Sequence, residues 1–154
     1  MSKWLSALVF VIFIILSGCI QSGMEGDKPP KTMIQIGEIS YETKLGTYCW
    51  SSNGQGECVD TAGPVELLKG KKPIEVRPGE VVTLKMKYKP LPNKVHLNQV
   101  KNEKVIEVPV VNYRFTAPTE KGIYFYSYGV WWMDKKDKNV SNGDAFYAFA
   151  LEVI

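Results

Sequence analysis

Alternation of apolar and polar side chains dominates the chain from residue 33 onward. Val82, Leu84, Met86 and Tyr88 interleave with Thr83, Lys85, Lys87 and Lys89, the period-two pattern of an antiparallel strand with one core face and one wet face. Arg77-Pro78-Gly79-Glu80 supplies a turn before it, after a short alternating segment with Ile74 and Val76, and Pro90 and Pro92 end it. Upstream, Ile34 and Ile36 set one phase while Ile39, Tyr41, Thr43 and Leu45 set the other, so Gly37 marks a bulge or a break. Downstream, Val95 and Leu97, then Ile106, Val108 and Val110, then Tyr113 and Phe115 continue the signal, with Pro109 pointing to an edge strand or a bulge. Residues 117–122 read as another turn. Two long apolar runs, 123–133 and 145–154, flank a polar connection, 134–144, that contains Asn142-Gly143, which predicts the last hairpin of the fold. No window of eleven or more residues past residue 18 holds a convincing 3.6-residue period. Short strands separated by turn signals predict an all-β, antiparallel β-sandwich over residues 33–154.

The first stretch of the chain follows a different rule. Lys3 precedes an apolar run from Trp4 to Leu16, and small residues Ser17 and Gly18 stand before Cys19, the order and size of a secretion signal. A run this short spans roughly 20 Å as a helix, too little for a bilayer core of about 30 Å. Leu16-Ser17-Gly18-Cys19 resembles the lipobox of bacterial lipoproteins. The resemblance implies a signal peptide over 1–18, cleavage before Cys19, and lipidation of that cysteine, so that the chain is held at the extracytoplasmic face of the cell membrane by acyl chains. Residues 19–32, rich in Gly, Pro and charge, read as a flexible tether reaching at most roughly 40 Å from the lipid to the domain.

Cys49 and Cys58 remain as an even pair in a compartment where disulfides persist. If Asn53-Gly54 forms the type I′ turn its sequence favours, residues 52 and 55 pair, and counting outward places 49 opposite 58 in a non-hydrogen-bonded pair. Such pairs have a Cα separation of about 4.5 Å, within the disulfide range. A cross-strand bridge is predicted. A redox role is the alternative, but redox pairs usually read Cys-x-x-Cys, and these two stand farther apart.

Composition narrows the chemistry. Nineteen Lys and Arg against sixteen Asp and Glu leave +3 over 154 residues, short of the clustered basic charge that nucleic-acid binding needs. A single histidine, His96, excludes most His-based sites, including the copper centre some sandwiches host. It lies between Val95 and Leu97, so it faces outward with Asn98 if those two face the core. No Gly-x-Ser-x-Gly elbow, phosphate-cradling glycine loop or His-Glu-x-x-His pair is present, and no enzyme, metal or cofactor is expected. Asp134, Asp137 and Asn139 offer oxygen ligands, but Lys135, Lys136 and Lys138 intervene, which fits a solvated loop better than a calcium site. Asn139-Val140-Ser141 matches a glycosylation sequon that a bacterial lipoprotein does not use.

The turn at residues 78–80 leading into Val81-Val82-Thr83-Leu84, followed by Gly122-Ile123-Tyr124-Phe125-Tyr126 and a C-terminal strand, resembles immunoglobulin-like or fibronectin-like extracellular domains over roughly residues 73–154. Residues 46–50 and 58–64 resemble small uncharacterised lipoproteins of Gram-positive bacteria, which imply a location and no activity. The run 123–133 carries the candidate site. Tyr124, Tyr126, Tyr128, Val130 and Trp132 project to one face, and Ile123, Phe125, Ser127, Gly129 and Trp131 to the other. One reading is a central strand covered on both faces. The other is an exposed platform of Tyr124, Tyr126, Tyr128 and Trp132, extended by Trp50, whose flat rings stack on sugars or anchor a protein. The expected function is a non-catalytic binding module for cell-wall polymer or a surface protein; the alternative is a secreted inhibitor or assembly factor of immunoglobulin type acting through loops 90–94 and 134–144.

Overall fold

The computed structural model describes residues 23–154, so the signal segment 1–18 and Cys19 lie outside the described residues. Two sheets pack face to face. The smaller has the order β2-β1-β6-β9 and the larger β4-β3-β11-β10-β7-β8, with β5 running parallel beside the end of β11. The small sheet consists of β1 (Thr32–Ile36), β2 (Ile39–Glu42), β6 (Val81–Met86) and β9 (Arg114–Thr116). The large sheet is built on two long strands, β10 (Gly122–Met133) and β11 (Ser141–Val153). Beside β11 lie β3 (Lys44–Ser52), β4 (Gln55–Val59) and β5 (Ile74–Val76); beside β10 lie β7 (Lys94–Lys101) and β8 (Lys104–Glu107). Apart from β5, the pairing is antiparallel throughout. This is the antiparallel sandwich expected from the alternation.

The alternating apolar positions form one core. Ile34, Ile36, Val82, Leu84 and Phe115 face inward from the small sheet and meet Leu97, Tyr126, Val130, Tyr147, Phe149 and Leu151 of the large one. Gly37 takes φ +57° in the turn between β1 and β2, the break that the change of phase required. The β3–β4 hairpin turns at Asn53 and Gly54, both at positive φ as a type I′ turn demands. Its register pairs Ser52 with Gln55 and Cys49 with Cys58, and the two cysteines are bonded with a Cα separation of 4.1 Å.

Two expectations need correcting, and one short element joins the strands. The connection between the last two strands is shorter than 134–144, because residues 141–144 belong to β11; Gly143 is a buried strand residue opposite Trp50 and not part of a turn. A single helical turn, α1 (Pro64–Leu67), is too short to carry a 3.6-residue period; proline at its start has a fixed φ and no N–H to lose. Finally, the flexible tether does not extend to residue 32. Residues 23–31 are not regular structure, yet the Met24 N–H donates to the Ser51 carbonyl, and Tyr88 Oη accepts from the Glu25 N–H. Trp50 Nε1 donates to the Gly26 carbonyl at 2.7 Å, and Tyr147 Oη donates to that of Pro30. Aromatic hydroxyl and indole groups at the rim of the core bind the free carbonyls of this segment, which is why a Gly- and Pro-rich stretch is held against the domain.

Candidate functional site

The rings proposed as an exposed platform are the core. Tyr126 is 0% exposed, Trp50 and Tyr128 2%, Tyr124 3% and Trp132 4%. Trp50, Tyr88 and Trp132 meet edge to face with centroids 5.1–5.8 Å apart, and Tyr126 stacks on Phe149 at 4.9 Å. Their polar tips reach the sandwich edges: Trp132 Nε1 donates to the Pro90 carbonyl, Tyr126 Oη to Gln99 Oε1, and Tyr124 Oη to the Glu120 carbonyl. Burial pushes the Tyr126, Tyr128 and Tyr147 hydroxyls well above the ordinary phenol range. The tyrosines and tryptophans that looked amphipathic enough for a binding surface are amphipathic because they close a core.

The opposite face of β10 is the outer one, and it carries a different set of residues. Across the large sheet, register aligns Lys94 with Trp131, Trp131 with Asp144, Asp144 with Cys49, and Cys49 with Cys58. The next position inward aligns His96 with Gly129 and Gly129 with Phe146. Trp131 occupies the space Gly129 leaves: a Cβ on Gly129 would stand 2.7 Å from Cη2 of Trp131 and 2.9 Å from Cε1 of Phe146. Phe146 and His96 flank the half-buried indole edge to face, at 5.3 and 5.5 Å, and the Lys94 ammonium lies over it at 5.6 Å. His96 faces outward with Asn98, as the alternation predicts, and its Nδ1 is 2.7 Å from Glu107 Oε1. Burial raises the Asp144 carboxyl, against a lowering hydrogen bond from the Cys49 N–H.

A cleft of about 220 Å³ opens beside Phe146, floored by Gly46, Ser127 and Ala148 and walled by Thr47, Thr61 and Leu67. Two features make it. Between Ala145 and Tyr147 the register with β3 slips, so that Gly46 and Thr47 together face Phe146. On the far side, α1 lays Leu67 and Leu68 over Ala148, Ala150 and Phe125, covering that end of the outer face. Thr47 Oγ1 donates to Asp60 Oδ1 and accepts from the Thr61 N–H, fixing the rim.

The remaining residues singled out from the sequence separate from this face. Asp134 Oδ1 accepts from the N–H groups of Lys136 and Asp137, and Asp137 Oδ1 from that of Asn139. These backbone bonds lower the Asp134 carboxyl and occupy the oxygens in shaping the loop. Among the described residues no group of three or more His, Cys, Asp and Glu side chains is placed to hold a metal. Loop 90–94 is tied to the end of β10, where residues 134–144 begin: Asn93 binds Met133 through both its side-chain carbonyl and amide, and its N–H donates to the Trp131 carbonyl. Trp131, Phe146 and Asp144 were missed as site residues. The signal was in β11, whose charged residues Asp144 and Glu152 pair with Trp131 and Ile123 and so mark that face as the wet one.

Compared with protein-family models, curated proteins and solved structures, the chain matches none. No helix among the described residues is long and apolar enough to cross a membrane.

Proposed function

We propose that this chain is an extracytoplasmic lipoprotein, anchored to the cell membrane through Cys19, whose sandwich domain is a non-catalytic binding module for cell-wall glycan. The lipobox and the disulfide both support an exported location. The observation that carries the binding role is the half-buried Trp131 on the outer face of the large sheet, flanked by Phe146 and His96 and aligned with Asp144, with Glu107 held by the imidazole. An indole gives a sugar ring a flat apolar surface, and carboxylate and imidazole groups near it match equatorial hydroxyls. The Gly46–Thr47 cleft next to Phe146 extends this surface to a second sugar.

Cell-wall sacculi incubated with the unlipidated chain test the reading. Saturable sedimentation is expected for the wild type, reduced roughly 30-fold or more in affinity by Trp131→Ala, the loss typical of a central aromatic anchor. Val105→Ala, an exposed change on edge strand β8, should bind as wild type does. Unchanged binding in a folded Trp131→Ala variant would reject this face.

A further inference from the structure

Positive charge in this domain is gathered at one end. Four segments meet there: the entering chain 23–31, the β3–β4 turn 52–55, the β6–β7 connection 87–94 and the β10–β11 loop 133–141. The Met24 to Ser51 and Asn93 to Met133 bonds join them in pairs, and Met24 lies against Gly143 at the start of β11. In the entering segment Lys28 and Lys31 balance Glu25 and Asp27. The β6–β7 connection adds Lys87, Lys89 and Lys94 with no acid, and the loop sets Lys135, Lys136 and Lys138 against Asp134 and Asp137. These segments sum to +4, and the strand residues level with them, Glu42, Glu57, Asp144 and Lys85, bring the end to +2. Residues 23–154 total +2, because Lys3 alone supplies the difference from the +3 of the full chain, so the rest of the domain is neutral overall.

Pairing sharpens the contrast. Arg77–Glu80 and Lys101–Glu120 close ion pairs at the opposite end, and Lys69–Glu66 and Lys72–Glu75 do so before and at β5. At the charged end Lys31 pairs with Glu42, and the other lysines are in no ion pair among the described residues. The same end receives the chain. Three residues lie between Cys19 and Gly23, so four Cα steps give a reach of about 14 Å at most. If Cys19 carries lipid, the positive end is held within little more than a Debye length of the headgroups.

We infer that this end of the sandwich docks on anionic phospholipid headgroups, which orients the domain with its long strands rising from the bilayer. The inference rests on the anchor reading for proximity, but the charge distribution acts without the lipid. Lysines near an anionic surface each favour binding by roughly fivefold, so a few unpaired ones hold the end down once the anchor has removed the cost of encounter.

The unlipidated chain from residue 20 contains the whole two-sheet core and its disulfide, so it can be mixed with vesicles of phosphatidylcholine alone or with about a third phosphatidylglycerol. Binding is expected only to the anionic vesicles, and it should weaken as salt rises. The triple variant Lys87→Glu, Lys89→Glu and Lys136→Glu should lose roughly 100-fold in partitioning. Lys71→Glu, Lys104→Glu and Lys121→Glu together change net charge equally but lie away from that end, and should cost less than about threefold. Equal losses in the two triple variants, or wild-type binding indifferent to phosphatidylglycerol, would overturn the inference. Failure of the anchor reading is seen separately, as an unmodified Cys19 in the mass of the chain recovered from cell membranes.

Discussion

Gly143 sits where the core, the larger sheet and the entering chain meet, and replacing it by alanine tests that packing. It faces Trp50 across the β11–β3 pair, and a Cβ there would stand 2.7 Å from Cε3 and 2.9 Å from Cζ3 of the indole, and 3.2 Å from Cγ of Met24. Ordinary contact begins at 3.4 Å, so the ring must move by roughly 0.7 Å. Trp50 has little room, being 2% exposed and wedged edge to face against Trp132 and Tyr88. Overpacking of this kind costs about 1–3 kcal/mol. A shifted indole also lengthens the 2.7 Å bond to the Gly26 carbonyl, worth about 1 kcal/mol. The sum, about 2–4 kcal/mol, lowers Tm by roughly 8–16 °C in a domain of this size. Urea denaturation followed by tryptophan fluorescence measures it, with Gly56→Ala as control, since its Cβ would meet only Ser51 Oγ at 3.6 Å. Faster proteolysis within residues 23–30 should accompany the loss. A Gly143→Ala variant as stable as Gly56→Ala would refute the packing described around Trp50.

Other expectations follow from the same geometry. Replacing Cys49 and Cys58 by serine opens a short loop of sequence separation 9 and should destabilise by about 2.5 kcal/mol in denaturant titrations under oxidising conditions; stability unchanged by the double variant would mean the hairpin is held by its ladder alone. Tyr126→Ala removes a ring stacked on Phe149 and tilted against Phe115 and should cost about 3–5 kcal/mol, whereas Tyr126→Phe, which leaves Gln99 Oε1 without its donor, costs about 1 kcal/mol. Asp144 has a raised folded-state pKa, so the folded protein holds its proton more tightly than the unfolded chain and stability falls as pH rises through that window. Asp144→Asn should therefore gain stability relative to wild type at neutral pH and lose that advantage in acid; a difference that grows on acidification would show that the Cys49 hydrogen bond outweighs burial.

How far the chain can be read without its structure depends on whether a residue's role is local. The β6 alternation and the Gly37 break are local, and both stand where the pattern put them, although β6 ends at Met86 and the alternating Lys87, Tyr88 and Lys89 follow it outside the strand. The hairpin is local too: Asn53-Gly54 sets the register, and the register sets the disulfide. The run 123–133 differs because both of its faces are apolar, so the period fixes the two faces but not which one is buried. That choice belongs to the partner strand. Ala145, Tyr147, Phe149, Leu151 and Val153 point inward from β11, while Asp144 and Glu152 on its other face align with Trp131 and Ile123. The pinned segment 23–31 was illegible for a related reason, because its partners are Ser51, Trp50, Tyr88 and Tyr147, distant in sequence.

Oxidative footprinting of the tryptophans, with and without soluble cell-wall glycan fragments, addresses the binding face most directly. Trp131 should be modified in the free protein and protected in proportion to occupancy, while Trp50 and Trp132 stay unmodified in both. Protection of Trp50 or Trp132, or modification of Trp131 to the same extent with and without glycan, would contradict the assignment of ligand binding to the outer face of the large sheet.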